Sequence, residues 1–132
     1  MTALIEVKTA DLAGEALGWA VGKAEGLDVF LAPPEYGNPW RVFARYQGEA
    51  IVHTKRFNPW EDWALGGPLM DKRQALVGTY QIPGLADKAS ARLHHEDQVL
   101  WHSGETALIA ICRAIVATKF GDVVQVPKEL CA

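Results

Sequence analysis

Apolar and polar positions alternate in "LIEVKT" (Leu4–Thr9), which predicts a short strand. The period then changes. Leu12, Ala13, Ala16, Leu17, Ala20, Val21 and Ala24 form a helical stripe with Trp19 off its centre. Thr9 is placed to cap this helix, Asp11 suits its first turn and Gly26 its end. "LDVFLA" (Leu27–Ala32) reads as a strand stopped by Pro33-Pro34. "WRVFARY" and "EAIVHT" alternate around Gln47-Gly48, which predicts a hairpin. In it Trp40, Val42, Ala44 and Tyr46 share one face, and Arg41, Phe43 and Arg45 share the other, half-exposed one.

No clean period runs over Phe57–Leu69. Asn58-Pro59 and Gly66-Gly67-Pro68 predict a long loop, or a loop around a single helical turn. "QALVGTYQI" (Gln74–Ile82) predicts a strand interrupted at Gly78 and broken by Pro83-Gly84, followed by a loop or one helical turn at "LADKAS". "ARLHH" and "QVLWH" predict a second hairpin across Glu96-Asp97. Leu108, Ile109, Ile111, Cys112, Ile115, Val116 and Phe120 make the last helix apolar around most of its circumference, so it is expected to be buried against a sheet. Ser103 or Thr106 is its cap and Gly121 its stop; "VVQVPKEL" follows as an extended segment. The expectation is a single α+β domain over residues 1–132, two helices packed on a small, mostly antiparallel sheet.

The net charge of −3 argues against duplex nucleic acid as the main partner, since phosphate neutralisation demands a basic excess. Cys112, inside an apolar helical pattern, and Cys131 read as reduced thiols rather than a disulfide framework. The first residues carry acids and no continuous apolar run, which predicts neither signal peptide nor membrane span, and hence a cytoplasmic protein.

Chemistry concentrates in "KRFNPWEDWALGGPLMDKR", Lys55 to Arg73. Trp60 and Trp63, three apart, point the same way if a helical turn opens there. Gly66 and Gly67 permit positive φ and close approach of a ligand. Lys55-Arg56 and Lys72-Arg73 bracket the segment with positive charge. Indole rings, bare amides and cations together suit a flat anionic ligand such as a nucleotide. The alternative is that both indoles cap one end of the core and the cations are ordinary surface. Arg113, on a nearly all-apolar helix, needs either a carboxylate such as Asp62 or Asp71, backbone carbonyls, or a ligand.

Other constellations are weaker. His94, Glu96 and His102 would need a favourable register to share a metal, and no zinc-type spacing supports them. Neither Ser90 nor Ser103 lies in a nucleophile elbow, and Cys112 sits where a thiol packs rather than reacts. No catalytic residue, metal ligand or cofactor is assigned, and the reading leans away from an enzyme.

Three blocks, "LAGEALGWAVGKAEG", "NPWEDWALGGPLMDK" and "ETALIAICRAIVATKFGDVVQVPKEL", resemble in order and spacing the bacteriophage NinX-like family of unknown function. The family's middle motif, approximately Pro-Ser-Thr-Asp-Trp-Ala-Gln-Gly-Gly-Pro, is matched by Pro59, Asp62, Trp63, Ala64, Gly66, Gly67 and Pro68; Trp60, Glu61 and Leu65 depart from it. Its last helix is matched by Thr106, Leu108, Ile109, Ala110 and Arg113, with Ala107 in place of proline. The resemblance implies a phage or prophage accessory protein in the bacterial host cytoplasm, and it supplies no reaction.

The expected ligand-binding set is Trp60, Asp62, Trp63, Gly66, Gly67, Pro68, Arg113, Thr106, Lys55 and Arg56. Its occupant is a small anionic aromatic ligand, a host signal of nucleotide type being one instance. The second reading is a host or phage protein held by an exposed Trp loop, and the third a single-stranded nucleic acid on Arg41, Arg45, Lys55 and Arg56. Homo-oligomerisation stays open.

Overall fold

The structure, a computed structural model, describes residues 3–80 and 88–131. Strand β1 (Leu4–Lys8) leads through a 3-10 turn at Thr9–Asp11 into helix α1 (Gly14–Ala24). A first antiparallel sheet follows, β2 (Asp28–Ala32), β3 (Arg41–Gln47) and β4 (Val52–Arg56), in the order β2-β3-β4. Helix α2 (Trp63–Arg73) precedes a second antiparallel sheet of β5 (Leu76–Tyr80), β6 (Lys88–His95) and β7 (Gln98–Gly104). Helix α3 (Ala107–Phe120) and strand β8 (Val123–Pro127) complete the fold, and β8 returns antiparallel to β1.

The fold is therefore α+β with antiparallel pairing, but the described residues form three helices and three separate sheets rather than two helices on one sheet. The reason lies in α3. Ala110, Ile111, Cys112, Ala114, Ile115 and Val116 are fully buried, so the helix is apolar nearly all round and needs cover on every side. It packs against α1, α2, β5, β6, β7 and β8, which one flat sheet does not provide. Leu12, Leu17 and Val21 of the N-terminal segment meet it across the core, with Val42, Ala44, Ala91, Leu93, Val124 and Val126 closing around them.

Several boundaries follow the chain pattern closely. Gly26 (φ 74°) and Gly121 (φ 74°) end α1 and α3, and Thr106 caps α3 by accepting the Ile109 N–H at 3.2 Å. The first hairpin pairs Gln47 with Val52, so its loop is longer than a Gln47-Gly48 turn. The second turns at Glu96, whose φ is 55°. Thr9 does not cap α1. It is buried in the 3-10 turn, where its hydroxyl donates to the Gly121 carbonyl at 2.7 Å and its N–H to that of Asp122 at 2.8 Å. That bond leaves α1 to start five residues later, after Ala13, without a side-chain cap. The expected Pro83-Gly84 break lies outside the described residues.

The segment expected to be a loop is largely helical. Asp62 accepts the Ala64 N–H at 2.9 Å as N-cap of α2, and Gly66, Gly67 and Pro68 lie inside the helix. Gly66 and Gly67 accordingly have no positive φ. Pro68 has no N–H to give the Ala64 carbonyl one turn earlier, and both residues are exposed.

Candidate functional site

The approach to α2 positions both indoles. Phe57 and Pro59 are buried, anchoring the bend; the Phe57 N–H donates to the Val42 carbonyl at 3.0 Å. The Asn58 carbonyl accepts from both Glu61 and Asp62 at 3.1 Å, and the Asn58 amide donates to Glu61 Oε1 at 3.0 Å. This ordered turn sends Trp60 back against α1 and leaves Trp63 at the first turn of α2, 56% exposed.

Trp60, Glu61 and Trp63 face the first turn of α3, Thr106, Ala107, Leu108 and Ile109, across a cavity of about 340 Å³. Its depth depends on Gly66. A methyl group there would stand 2.5 Å from Leu108 Cδ2 and 2.7 Å from the Pro59 carbonyl oxygen, so only glycine lets α2 lie this close to α3. Leu65, Leu69 and Met70 pack on the core from the same helix. The walls are mainly indole and aliphatic, with the Glu61 carboxylate and the α3 N-terminus as polar features.

The expected cations are engaged elsewhere. Arg56 forms a two-pronged ion pair with Glu15, donates to the Val42 carbonyl at 3.0 Å and lies 5.6 Å from the Trp60 ring. Glu15 also accepts the Val42 N–H at 2.8 Å, so this pair ties α1 to β3 and β4. Lys72 and Arg73 both bind Glu25, at 2.7 and 2.6 Å, and the Glu25 side chain is 3% exposed. Burial pushes the Glu25 carboxyl up, but hydrogen bonds and charge from Lys72 and Arg73 more than offset it and hold the carboxyl below its usual range.

Arg113 takes neither Asp62 nor Asp71. Its Nε donates to the Leu12 carbonyl at 3.0 Å and its Nη1 to that of Ser103 at 2.8 Å. Two backbone oxygens thus replace the expected carboxylate, and Arg113 does not line the Trp60–Trp63 cavity. Burial lowers its pKa, opposed by Asp11 and Glu105. Lys55 lines a different depression of about 290 Å³ with Tyr46, His53 and Leu65.

The structure thus brings together Trp60, Trp63 and Thr106 as lining residues, with Asp62, Gly66, Gly67 and Pro68 shaping α2 beside them. Lys55, Arg56 and Arg113 stand apart. The supports that sequence reasoning missed are Glu15, Gly18 and Glu25, all on or at the end of α1. The i, i+3, i+4 spacing of Leu65, Gly66, Leu69, Met70 and Arg73 was the available signal for α2.

Elsewhere, His94 pairs with Val99 and His102 with Ala91, which puts the two histidines on opposite faces of their sheet and denies them the register that a shared metal would need. Among the described residues no group of three or more His, Cys, Asp or Glu side chains converges as a metal site. Among them too, no helix is long and apolar enough to cross a membrane.

An α+β domain with an indole-lined groove between two helices is the class that these features define. The chain belongs to the phage family described as "Bacteriophage P22, NinX", whose sequence model matches residues 8–119. No curated protein matches it.

Proposed function

We propose that the chain is a non-enzymatic phage accessory module that recognises a protein partner through the groove between Trp60, Trp63 and the first turn of α3. The observation that carries this reading is Trp63, an indole more than half exposed at the rim of an apolar recess. Tryptophan is among the residue types most enriched at the energetic hot spots of protein interfaces. The recess, at about 340 Å³, lies at the low end of the range for ligand pockets, about 300–1,000 Å³, and accepts one apolar side chain. The host cytoplasm is the proposed setting.

Affinity capture from phage-infected host lysate, with the wild-type chain beside Trp63→Ala, tests the reading. A partner retained by the wild type and lost by the variant supports it; equal capture by both removes Trp63 from recognition and ends it.

A small flat anionic ligand is the second reading, favoured by the α3 N-terminus at the groove. The first N–H groups of a helix lack intrahelical acceptors and attract negative charge. The commitment of Arg56, Lys72, Arg73 and Arg113 to internal partners, and the presence of Glu61, rank it second. Thermal-shift measurements with mono-, di- and cyclic nucleotides separate the two: saturation at about 100 times Kd adds about 2.7 kcal/mol of stability.

A further inference from the structure

The sheet β2-β3-β4 turns Val29, Val42 and Ala44 into the core and its other face outward. On that outer face Phe30 and Phe43 are direct cross-strand partners, with ring centroids 6.0 Å apart and planes 28° from parallel. Both rings are half-buried. Arg45 lies 4.0 Å from the Phe30 ring and Arg41 5.3 Å from the Phe43 ring, so an aromatic pair is flanked by two guanidinium groups.

Neither arginine is firmly held. Among the described residues Asp28, at 3.4 Å, is the one hydrogen-bonding partner of the Arg45 guanidinium beside its contact with the Phe30 ring, and both side chains of the ion pair are solvent-exposed. Such contacts contribute about 0–1 kcal/mol, so exchange for another anion is cheap. The Arg41 Nε is shielded from solvent and, among the described residues, is the one such side-chain nitrogen or oxygen without a hydrogen-bond partner. The charge balance also departs from that of the chain. Arg41, Arg45, Lys55 and Arg56 of the 13 Lys and Arg lie in these three strands, against Asp28 alone of the 16 carboxylates. Lys55 points to the opposite face, opposite Ala44, and Arg56 is tied to Glu15, leaving Arg41 and Arg45 for an incoming ligand.

We propose that this outer face binds single-stranded nucleic acid, unpaired bases stacking on Phe30 and Phe43 while Arg41 and Arg45 contact the phosphates. Stacking needs a base freed from its duplex, and the half-exposed rings offer every base the same π surface. The two guanidinium groups beside them, Arg45 exposed and Arg41 half-buried, fit the accompanying phosphates. A duplex presents backbone and groove edges instead, which two arginines on a net acidic chain hold poorly. The surface is separate from the Trp60–Trp63 groove.

Fluorescence anisotropy with a labelled oligothymidylate, and with the duplex of the same sequence, tests the proposal. The wild type is expected to bind the single strand, with affinity falling about sevenfold between about 50 and 200 mM salt for two neutralised phosphates. Phe43→Leu keeps an apolar strand residue and is expected to weaken binding by about 5- to 150-fold, while Phe43→Tyr retains it. Arg45→Gln, a surface change, lowers the salt slope by about 0.7. Circular dichroism checks that Phe43→Leu folds; if it does not, Arg45→Gln alone decides. Absence of binding, equal affinity for the duplex, or a folded Phe43→Leu and an Arg45→Gln that both match the wild type overturns the proposal.

Discussion

The Trp60 indole rests on the bare backbone of Gly18 in α1. A methyl group at position 18 would overlap Cζ3 of that ring, lie 3.0 Å from Cε3 and 3.1 Å from the Phe57 carbonyl oxygen. Glycine at this point of α1 therefore fixes how deep the indole sinks, and with it one wall of the groove. Gly18→Ala should gain about 1 kcal/mol of helix propensity and lose about 1–3 kcal/mol to the clash, for a net destabilisation of up to about 2 kcal/mol. Denaturant unfolding reads the loss, and a shifted Trp60 emission reports displacement of the ring. A variant more stable than wild type would mean that Trp60 does not rest there.

Gly66→Ala should act in the same way on the other wall. The added methyl meets Leu108 and the Pro59 carbonyl, both held by packing, so α2 must move off α3. After the helix-propensity gain of about 1 kcal/mol, a net loss of up to about 2 kcal/mol in urea unfolding is expected, whereas Gly67→Ala, whose nearest neighbour is Trp63 Cε3 at 3.8 Å, should gain up to about 1 kcal/mol. Equal effects at the two glycines would contradict the helix–helix contact.

Acid should loosen the junction between α1 and α2. The Glu25 carboxyl is held below its ordinary value of 4.5 in the fold, so the unfolded chain binds the proton more readily. Its stabilising contribution is complete above pH 4.5 and is lost as pH falls through the lower folded value. Thermal melts from neutral pH downward should show this loss in wild type and not in Glu25→Gln. That variant should itself be less stable at neutral pH by about 1.5–3 kcal/mol, the range for hydrogen bonds to charged groups.

His102 should contribute in a different window. Burial holds its pKa down, with Asp122 opposing and Arg113 reinforcing, so the native imidazole stays neutral where the unfolded one charges. Its contribution is complete above 6.5 and lost as pH falls from there toward the lower folded value. His102→Gln should flatten that part of the melting profile.

Cys112 should resist alkylation in the native state. It is buried and its thiol is pushed up to about 12, leaving almost no thiolate at neutral pH. Iodoacetamide labelling followed by mass spectrometry should show modification at Cys112 only under unfolding conditions. Rapid labelling of the folded protein would mean that α3 opens readily.

Where one local pattern decides an element, the chain announced it. The all-round apolar run of α3, its Thr106 cap and its Gly121 stop were legible because propensity, capping and burial agree there. The outward Arg41, Phe43 and Arg45 of β3 were legible from simple alternation. Helix α2 was not, because Gly66, Gly67 and Pro68 are breakers by local rule and are helical only through packing on Leu108 and the Asp62 cap. The spacing of the two indoles pointed to a shared surface, and both line one groove, yet the destinations of Arg56, Lys72, Arg73 and Arg113 were not readable. Each is settled by a partner distant in the chain, Glu15, Glu25, or the carbonyls of Leu12 and Ser103, and spacing along a sequence carries no record of such partners.

The register that joins Leu4 to Pro127 and Lys8 to Val123 has a bearing on biosynthesis. Strand β1 is made before β8 but, among the described residues, has no edge to join until β8 follows, so this ladder closes a loop that contains α1 to α3 and β2 to β7. Such distant pairings slow folding, and here the hydroxyl of Thr9 can find the Gly121 carbonyl only after the closing helix has emerged. Completion of this fold thereby waits on synthesis of β8.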